Sequence, residues 1–270
     1  MRSRPVGPED ATGPPEQRNE VPVSETTSRS SLRSQLDVLI RRRLPVELLG
    51  FDPSALPAAS DFYSGQVAAE YDLTRERRGI FRWEEDVVRR LLEGLEPGAR
   101  VLDVPVGTGR FLPVYLQLGL EVVGLDASAD MLTEASRRFD PNTDPVALTK
   151  GSATALPFSD GSFDALVCFR FLPGKLTLRQ TRTALREFAR VTRGDVLVLL
   201  KVGERKFPSS WRDEFSRLGT RPEHELREIL AESGLEVRHI EPAPEGPKAV
   251  FVCRRDERAA VSGRGPRGRR

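Results

Sequence analysis

Val101-Leu102-Asp103-Val104-Pro105-Val106-Gly107-Thr108-Gly109-Arg110 sets a short apolar run, broken by one carboxylate, against a glycine-containing turn, with the helix-like Phe111 to Leu120 behind it. It reads as strand, tight loop, helix. Glycine in such a loop lets the main chain come close to a ligand, and the free N–H groups at the helix start face that ligand. The dinucleotide pattern Gly-x-Gly-x-x-Gly fits poorly, because the register in this stretch runs from Gly107 through Gly109 and meets Leu112 where the third glycine belongs. Two acids bracket the loop instead. Asp103 stands four residues before Gly107, and Asp126 stands nineteen residues after it, closing a second apolar run, Val122-Val123-Gly124-Leu125.

Outward from this stretch, strand-like and helix-like segments alternate. Strands are expected at Arg100–Val104, Glu121–Leu125, Val146–Lys150, Asp164–Phe169 and Asp195–Lys201. The first intervening helix ends near Gly119, and the second starts after a Ser128 cap and runs to about Phe139. Thr177 and Gln180 form a capping box for a helix over Leu178–Thr192, with Leu178, Leu185 and Phe188 on one face. Thr220 and Glu223 suggest another box for a helix to Ser233, stopped by Gly234. Such alternation implies a parallel sheet with right-handed crossovers. Two last strands, Leu235–Ile240 and Ala249–Arg254, flank a proline-rich turn and read as an antiparallel hairpin. Upstream of the loop, the amphipathic Ile80–Leu95 ends at Glu96-Pro97-Gly98, a clear stop signal.

The quoted stretch, followed by Val-Gly-Leu-Asp-Ala-Ser-Ala-Asp-Met-Leu and then Ala-Leu-Pro-Phe-Ser-Asp-Gly-Ser-Phe-Asp-Ala-Leu-Val-Cys, closely resembles successive motifs of class I S-adenosylmethionine-dependent methyltransferases, over roughly residues 71 to 255. The resemblance implies an α/β, Rossmann-like, seven-stranded, mostly parallel sheet with helices on both faces and a C-terminal antiparallel hairpin. It also implies S-adenosylmethionine as cofactor, held at the carboxyl ends of the first four strands. By the same resemblance Asp103 helps hold the positively charged amino-acid end, and Gly107, Thr108 and Gly109 bring the main chain to the methionine and ribose portions. Asp126, with Ala127 beside it, takes the ribose hydroxyls, since a carboxylate can accept two hydrogen bonds side by side. Met131 lies against adenine in this reading, and Ser152, Ala153, Cys168 and Arg170 complete the pocket. Tyr71 and Arg75 match a Tyr-Asp-x-x-Arg-like stretch that helps close it; as a plain sequence the same region is a solvated charge run.

Three departures from the family pattern stand out. Pro105 replaces the first glycine of Asp-x-Gly-x-Gly-x-Gly, fixing φ near about −65° and removing an N–H. Ser152 stands where relatives commonly carry an acid for the adenine amino group. After the fourth strand, Arg170-Phe171-Leu172-Pro173-Gly174-Lys175 lacks the histidine pair many relatives have there, and the chain's two histidines, His224 and His239, read as structural. An acceptor that is already nucleophilic, such as a nitrogen, thiolate, enolate or acidic phenol, suits a site without a histidine base.

Composition bounds the rest. The chain has 270 residues, 38% of them hydrophobic, and suits one sizeable domain with tails. Residues 1–30 read as a disordered tail and 31–78 as a helical lid segment, with a basic amphipathic helix over 31–44 and a proline-rich connector over 45–60. Residues 79–255 read as the methyltransferase domain and 256–270 as a disordered basic tail. The formal charge is only +2, so no global field argues for nucleic acid. Cys168 and Cys253 lie in strand-like runs and read as buried reduced thiols, which suits a cytoplasmic setting. No transmembrane segment and no metal are expected: no apolar run reaches the ~18 residues of a membrane span, and no CxxC or HExxH spacing occurs.

The sequence thus points to an enzyme methylating a small-molecule acceptor of quinone, phenol or lipid-like type by in-line displacement. The alternatives are an RNA methyltransferase using the arginines at both ends as phosphate contacts, a non-catalytic methyltransferase-like partner subunit, and a nucleotide-dependent oxidoreductase. Oligomeric state is not legible.

Overall fold

A computed structural model of the chain describes residues 80–204 and 217–256. The lid segment with Tyr71 and Arg75, both expected tails and the stretch 205–216 lie outside the described residues. The elements are α1 (Ile80–Leu92), β1 (Arg100–Asp103), α2 (Leu112–Gln117), β2 (Glu121–Asp126), α3 (Ala129–Ser136), β3 (Val146–Lys150), β4 (Phe163–Cys168), α4 (Leu172–Lys175), α5 (Leu178–Val191), β5 (Thr192–Val202), β6 (Thr220–Arg221), α6 (Glu223–Glu232), β7 (Leu235–Pro242) and β8 (Lys248–Arg255).

The strands form one sheet in the order β3-β2-β1-β4-β5-β8-β7, and β6 pairs with β5 off that path. Pairing is parallel from β3 across to β5 and antiparallel for β5–β8 and β7–β8. The order therefore reverses between β1 and β4, and in open α/β sheets that crevice is where ligands lie. Seven of the strands are those expected from sequence. The eighth, β6, is two residues long, sets Thr220 against Lys201 and Arg221 against Val202, and corrects the reading of Thr220 as a helix cap. Pro222 holds the cap position of α6 instead, with a φ of −57° and no side-chain cap bond. The other two caps behave as the residue types demand: Ser128 accepts from the Met131 N–H, and Thr177 and Gln180 close a full capping box.

Because side chains alternate across a strand, the sheet sorts its apolar residues into two cores. Leu102, Leu166, Cys168, Val196, Val198, Phe251 and Cys253 face one side and meet Leu178, Leu185 and Phe188 of α5 with Leu226 and Leu230 of α6. Val101, Ala165, Val167, Leu197, Leu199 and Val250 face the other and meet Val87, Val88 and Leu92 of α1 with Leu112 and Tyr115 of α2. Burial on both faces explains the apolar runs Ala165–Cys168 of β4 and Val196–Leu200 of β5. Both cysteines are buried and free, with burial pushing the Cys168 thiol well above its ordinary value and that of Cys253 up to about 12.

The β4–β5 register shifts between Phe163 and Ala165. Gly194 lies opposite this irregularity, and a Cβ there would fall on the Asp164 carbonyl oxygen. Arg193 next to it donates to both oxygens of Asp164, at 2.7 and 2.9 Å.

Candidate functional site

The carboxyl ends of β1, β2, β3 and β4 converge, and the loop after β1 is the centre of what they build. Pro105 follows a cis peptide bond, and its neighbours stitch the loop down on both sides: Val104 N–H donates to Val167 of β4, and Val106 N–H to Leu125 of β2, each at 2.9 Å. The missing N–H of Pro105 therefore falls between two satisfied ones. Gly107 and Gly109 both have positive φ, +57° and +74°. Their surroundings differ. A Cβ on Gly109 would lie 2.7 Å from Leu112 Cδ1 and 3.1 Å from Ala135 Cβ, so the chain packs against it; a Cβ on Gly107 would meet nothing within 4 Å. Gly109 thus closes the loop on the protein, and Gly107 opens it to the crevice.

Asp126, at the end of β2, is the carboxylate that ties this loop to the next helix. Its Oδ2 accepts from Gly107 N–H and its Oδ1 from Ser128 N–H, both at 2.9 Å. Burial pushes its pKa up, and the Ser128, Gly107 and Ala127 N–H groups pull it back. A carboxylate offers about four lone-pair sites, so acceptor capacity remains beyond these contacts. Asp103, at the end of β1, is 2% exposed, and Tyr115 O–H donates to its Oδ2 at 3.1 Å. Burial pushes its pKa up to about 7, against the pull of Tyr115 and Arg110.

The remaining expected residues take these places. Thr108 is buried within the loop, Ala127 is exposed at the end of β2, and Met131 on α3 is 3% exposed and joins the wall behind them. Ser152, beyond β3, is exposed, and its hydroxyl is engaged by its own turn, accepting from Thr154 N–H at 3.2 Å and lying in hydrogen-bond contact with Thr154 Oγ1 at 2.8 Å. Ala153 is buried beside it. Cys168 closes β4 inside the core rather than in the open crevice, because the alternation of the strand turns it towards Leu102 and Leu166. Arg170 stands beyond β4 with a φ of +59°, the sole non-glycine residue with positive φ among those described. Both histidines are exposed: His224 lies on α6, and His239 pairs with Glu241 at 3.2 Å on β7, the sheet's edge strand.

Sequence reasoning missed a charged cluster beside the crevice. Glu84 of α1 is fully buried, and its Oε2 accepts from Arg110 and from Arg170, each at 2.7 Å. Lys248 Nζ lies 3.7 Å from Glu84 Oε1. Both guanidinium groups pack on Phe81, at 4.4 and 4.5 Å from the ring centre, and that of Arg110 also covers Phe111 at 4.0 Å. The one available signal was an acid on the otherwise apolar stripe of α1, where a buried charge demands a partner. Among the described residues no group of three or more His, Cys, Asp or Glu side chains could hold a metal ion, and no helix is long and apolar enough to cross a membrane.

This geometry has known counterparts. The family model for a methyltransferase domain matches residues 101–195. A demethylmenaquinone methyltransferase from Renibacterium salmoninarum is 41% identical over 145 residues, covering 52% of this chain and 57% of that protein. The chain thus spans little more than half the length of that relative. A phosphatidylethanolamine N-methyltransferase from Cereibacter sphaeroides is 31% identical over 170 residues, covering 60% of this chain and 81% of that protein. Among solved structures, magnesium protoporphyrin IX methyltransferase from Synechocystis with bound S-adenosylmethionine has the same fold, with a TM-score of 0.59 at 16% identity over 76% of this chain and 98% of that one. The glycine turn that opens at Gly107, the Asp126 bridge and the 3-2-1-4-5 strand order with its antiparallel closing pair place the chain in the class I S-adenosylmethionine-dependent methyltransferases.

Proposed function

We propose that the protein transfers a methyl group from S-adenosylmethionine to a small-molecule acceptor of quinone, phenol or lipid-like type. The observation that carries this reading is the open side of Gly107, set 2.9 Å from an Asp126 whose two oxygens each keep acceptor capacity. It is a cradle that a side chain would fill. The donor set also suits the cofactor: main-chain N–H groups and a carboxylate for ribose hydroxyls, and a buried acid, Asp103, near the expected ammonium end.

Each residue then has a task. Asp126 accepts the ribose hydroxyls while holding Gly107 in place, so the same carboxylate shapes the loop and binds. Met131 and Ala153 supply apolar surface for the adenine, and Ser152, its hydroxyl occupied by Thr154, leaves adenine recognition to packing and main chain. Asp103 binds the ammonium group more strongly once ionised, and an approaching cation favours that ionised form. When bound, S-adenosylmethionine supplies an electrophilic methyl on a sulfonium. The protein's share of the rate is to hold the acceptor atom in line at about 3–3.5 Å and to exclude water, an effect worth up to roughly 7–11 kcal/mol when orientation is good. With neither histidine at the crevice, an acceptor that is already nucleophilic fits best. The relatives named above act on a quinone and on a lipid, and both lend support to an acceptor of that kind.

The test is calorimetric titration with S-adenosylmethionine and S-adenosylhomocysteine, with NADH and NADPH as controls, on wild type and Asp126→Ala. Saturable binding of the first pair, lost in the variant, supports the reading. A folded protein that binds neither overturns it in favour of a non-catalytic partner subunit.

A further inference from the structure

The cluster around Glu84 carries more positive charge than its carboxylate can use. Arg110 and Arg170 share one oxygen of Glu84, and Lys248 faces the other at 3.7 Å. That second oxygen is fully buried and accepts no hydrogen bond among the described residues. Two further carboxylates come near among the described residues: Glu85 lies 3.7 Å from Arg110 with a side chain 38% exposed, and the buried Asp103 feels the charge of Arg110. Lys201 adds a fourth cation, directly opposite Lys248 in the β5–β8 register. Among the described residues four cations thus meet three carboxylates, one of them at the rim and one, Asp103, with its pKa raised to about 7 by burial. The Lys248 ammonium is accordingly held below its usual range, by burial first and by Arg170 next, with Lys201 adding to it.

A purely structural ion pair does not call for this arrangement. One cation would balance Glu84, whereas burying a like-charge surplus costs free energy. Arg170 is moreover held in left-handed backbone, a conformation that costs a non-glycine residue about 1–3 kcal/mol and that clusters at functional sites. Its guanidinium is fixed by Glu84 through Nε and by Phe81 below, while its two Nη atoms have no hydrogen-bond partner among the described residues. A guanidinium pinned by Nε and one face presents its outer fork to an oxyanion.

We infer that Arg110, Arg170 and Lys248, steadied by Glu84, form a receptor for an oxyanion, a carboxylate or phosphate, carried by the methyl acceptor. This rests on the methyltransferase reading above. The placement sets the two ligands side by side: Asp126 and Ser152 follow β2 and β3 on one side of the switch point, Arg170 and Lys248 come from β4 and β8 on the other, and Arg110 follows the loop between them.

The experiment uses the full chain saturated with S-adenosylhomocysteine, titrated at constant ionic strength with inorganic phosphate and with benzoate, and followed by the Arg Nε and Lys Nζ resonances. Wild type, Lys248→Met, Arg170→Gln and the surface control Arg182→Gln are compared. Saturable binding is expected, weakened about tenfold or more in Lys248→Met and Arg170→Gln and unchanged in Arg182→Gln. Affinity for S-adenosylhomocysteine should stay within about threefold in Lys248→Met and in Arg182→Gln. Should Arg170→Gln fail to fold, Lys248, whose side chain is 21% exposed, keeps the test open through Lys248→Met. No saturable binding to the folded, loaded chain, or binding undiminished in the folded variants, overturns the proposal. So does an equal loss of S-adenosylhomocysteine affinity, since that assigns the cluster to the cofactor's own carboxylate. If wild type does not bind S-adenosylhomocysteine, the methyltransferase reading fails on its own, and the same anion titration of the free chain decides the cluster.

Discussion

Asp126 and Glu84 are both buried carboxylates beside the same crevice, and they are compensated by opposite means. Asp126 accepts from main-chain N–H groups of Gly107 and Ser128, donors fixed by the loop and by the helix start. Glu84 accepts from the side chains of Arg110 and Arg170, 26 and 86 residues away in sequence. Main-chain donors are dipoles, and they quieten a charge without importing another. Side-chain cations bring whole charges, and here they bring more than one carboxylate can cancel. The first arrangement therefore makes a site for neutral hydroxyls, and the second a site that still attracts an anion.

The most drastic way to break the comparison is Glu84→Ala. It leaves two guanidinium groups and Lys248 facing one another in a largely buried space, and a loss of about 3–5 kcal/mol in denaturant unfolding is expected. A change smaller than about 1 kcal/mol would show that the cluster is hydrated and not a buried ion network. Next comes Asp103→Asn, which keeps an acceptor for Tyr115 without the charge. The native carboxyl holds its proton up to about 7, against an ordinary 3.8, so between those values the folded state binds the proton and the unfolded chain does not. The stability linked to this group is thus full at low pH and lost as pH rises to about 7. Asn should stabilise the protein by about 3–4 kcal/mol at pH 8, and by half that or less at pH 5. Equal effects at both pH values would mean that Asp103 is already ionised in the fold. Asp126→Asn should be milder on stability, at roughly 1–3 kcal/mol, because an amide group must turn its N–H₂ towards either Gly107 or Ser128 and leaves that donor unmet. Its cost should appear chiefly as lost S-adenosylhomocysteine affinity, and calorimetry showing wild-type affinity would detach Asp126 from the site. Smallest is Thr177→Ala, away from both carboxylates, where loss of the capping box should lower stability by about 1 kcal/mol with cofactor binding unchanged.

The same contrast explains what could be read from sequence. Asp103, Gly107, Gly109 and Asp126 were legible because each acts through a local rule: a strand end, a turn that needs positive φ, an acid after an apolar run. Seven strands and the Ser128 and Thr177 caps follow from equally local patterns. The short strand β6 was missed because two residues carry no periodicity, and its pairing with β5 depends on where the chain returns after residue 216. Cys168 was placed in the pocket by its position in a motif, whereas the alternation of β4 turns it inward. The Glu84 cluster left a single signal, the acid on the apolar stripe of α1, and its partners left none. Arg110, Arg170 and Lys248 are ordinary surface residue types, and only the folding of α1 over the sheet brings them onto one acid. Tyr71 and Arg75, expected to close the pocket, lie outside the described residues.

Gly194 has a consequence beyond its own contact. Sliding β5 by one residue along β4 would bring the Cβ of Arg193 or Asp195 to where only a hydrogen fits, against the Asp164 carbonyl, and would also unmake the Arg193–Asp164 fork. An apolar strand buried on both faces has little else to penalise such a slip, since its neighbours on either face are also apolar. One missing side chain therefore favours a single alignment of β5 against β4, and with it how far the carboxyl end of β5, with Lys201, runs past that of β4.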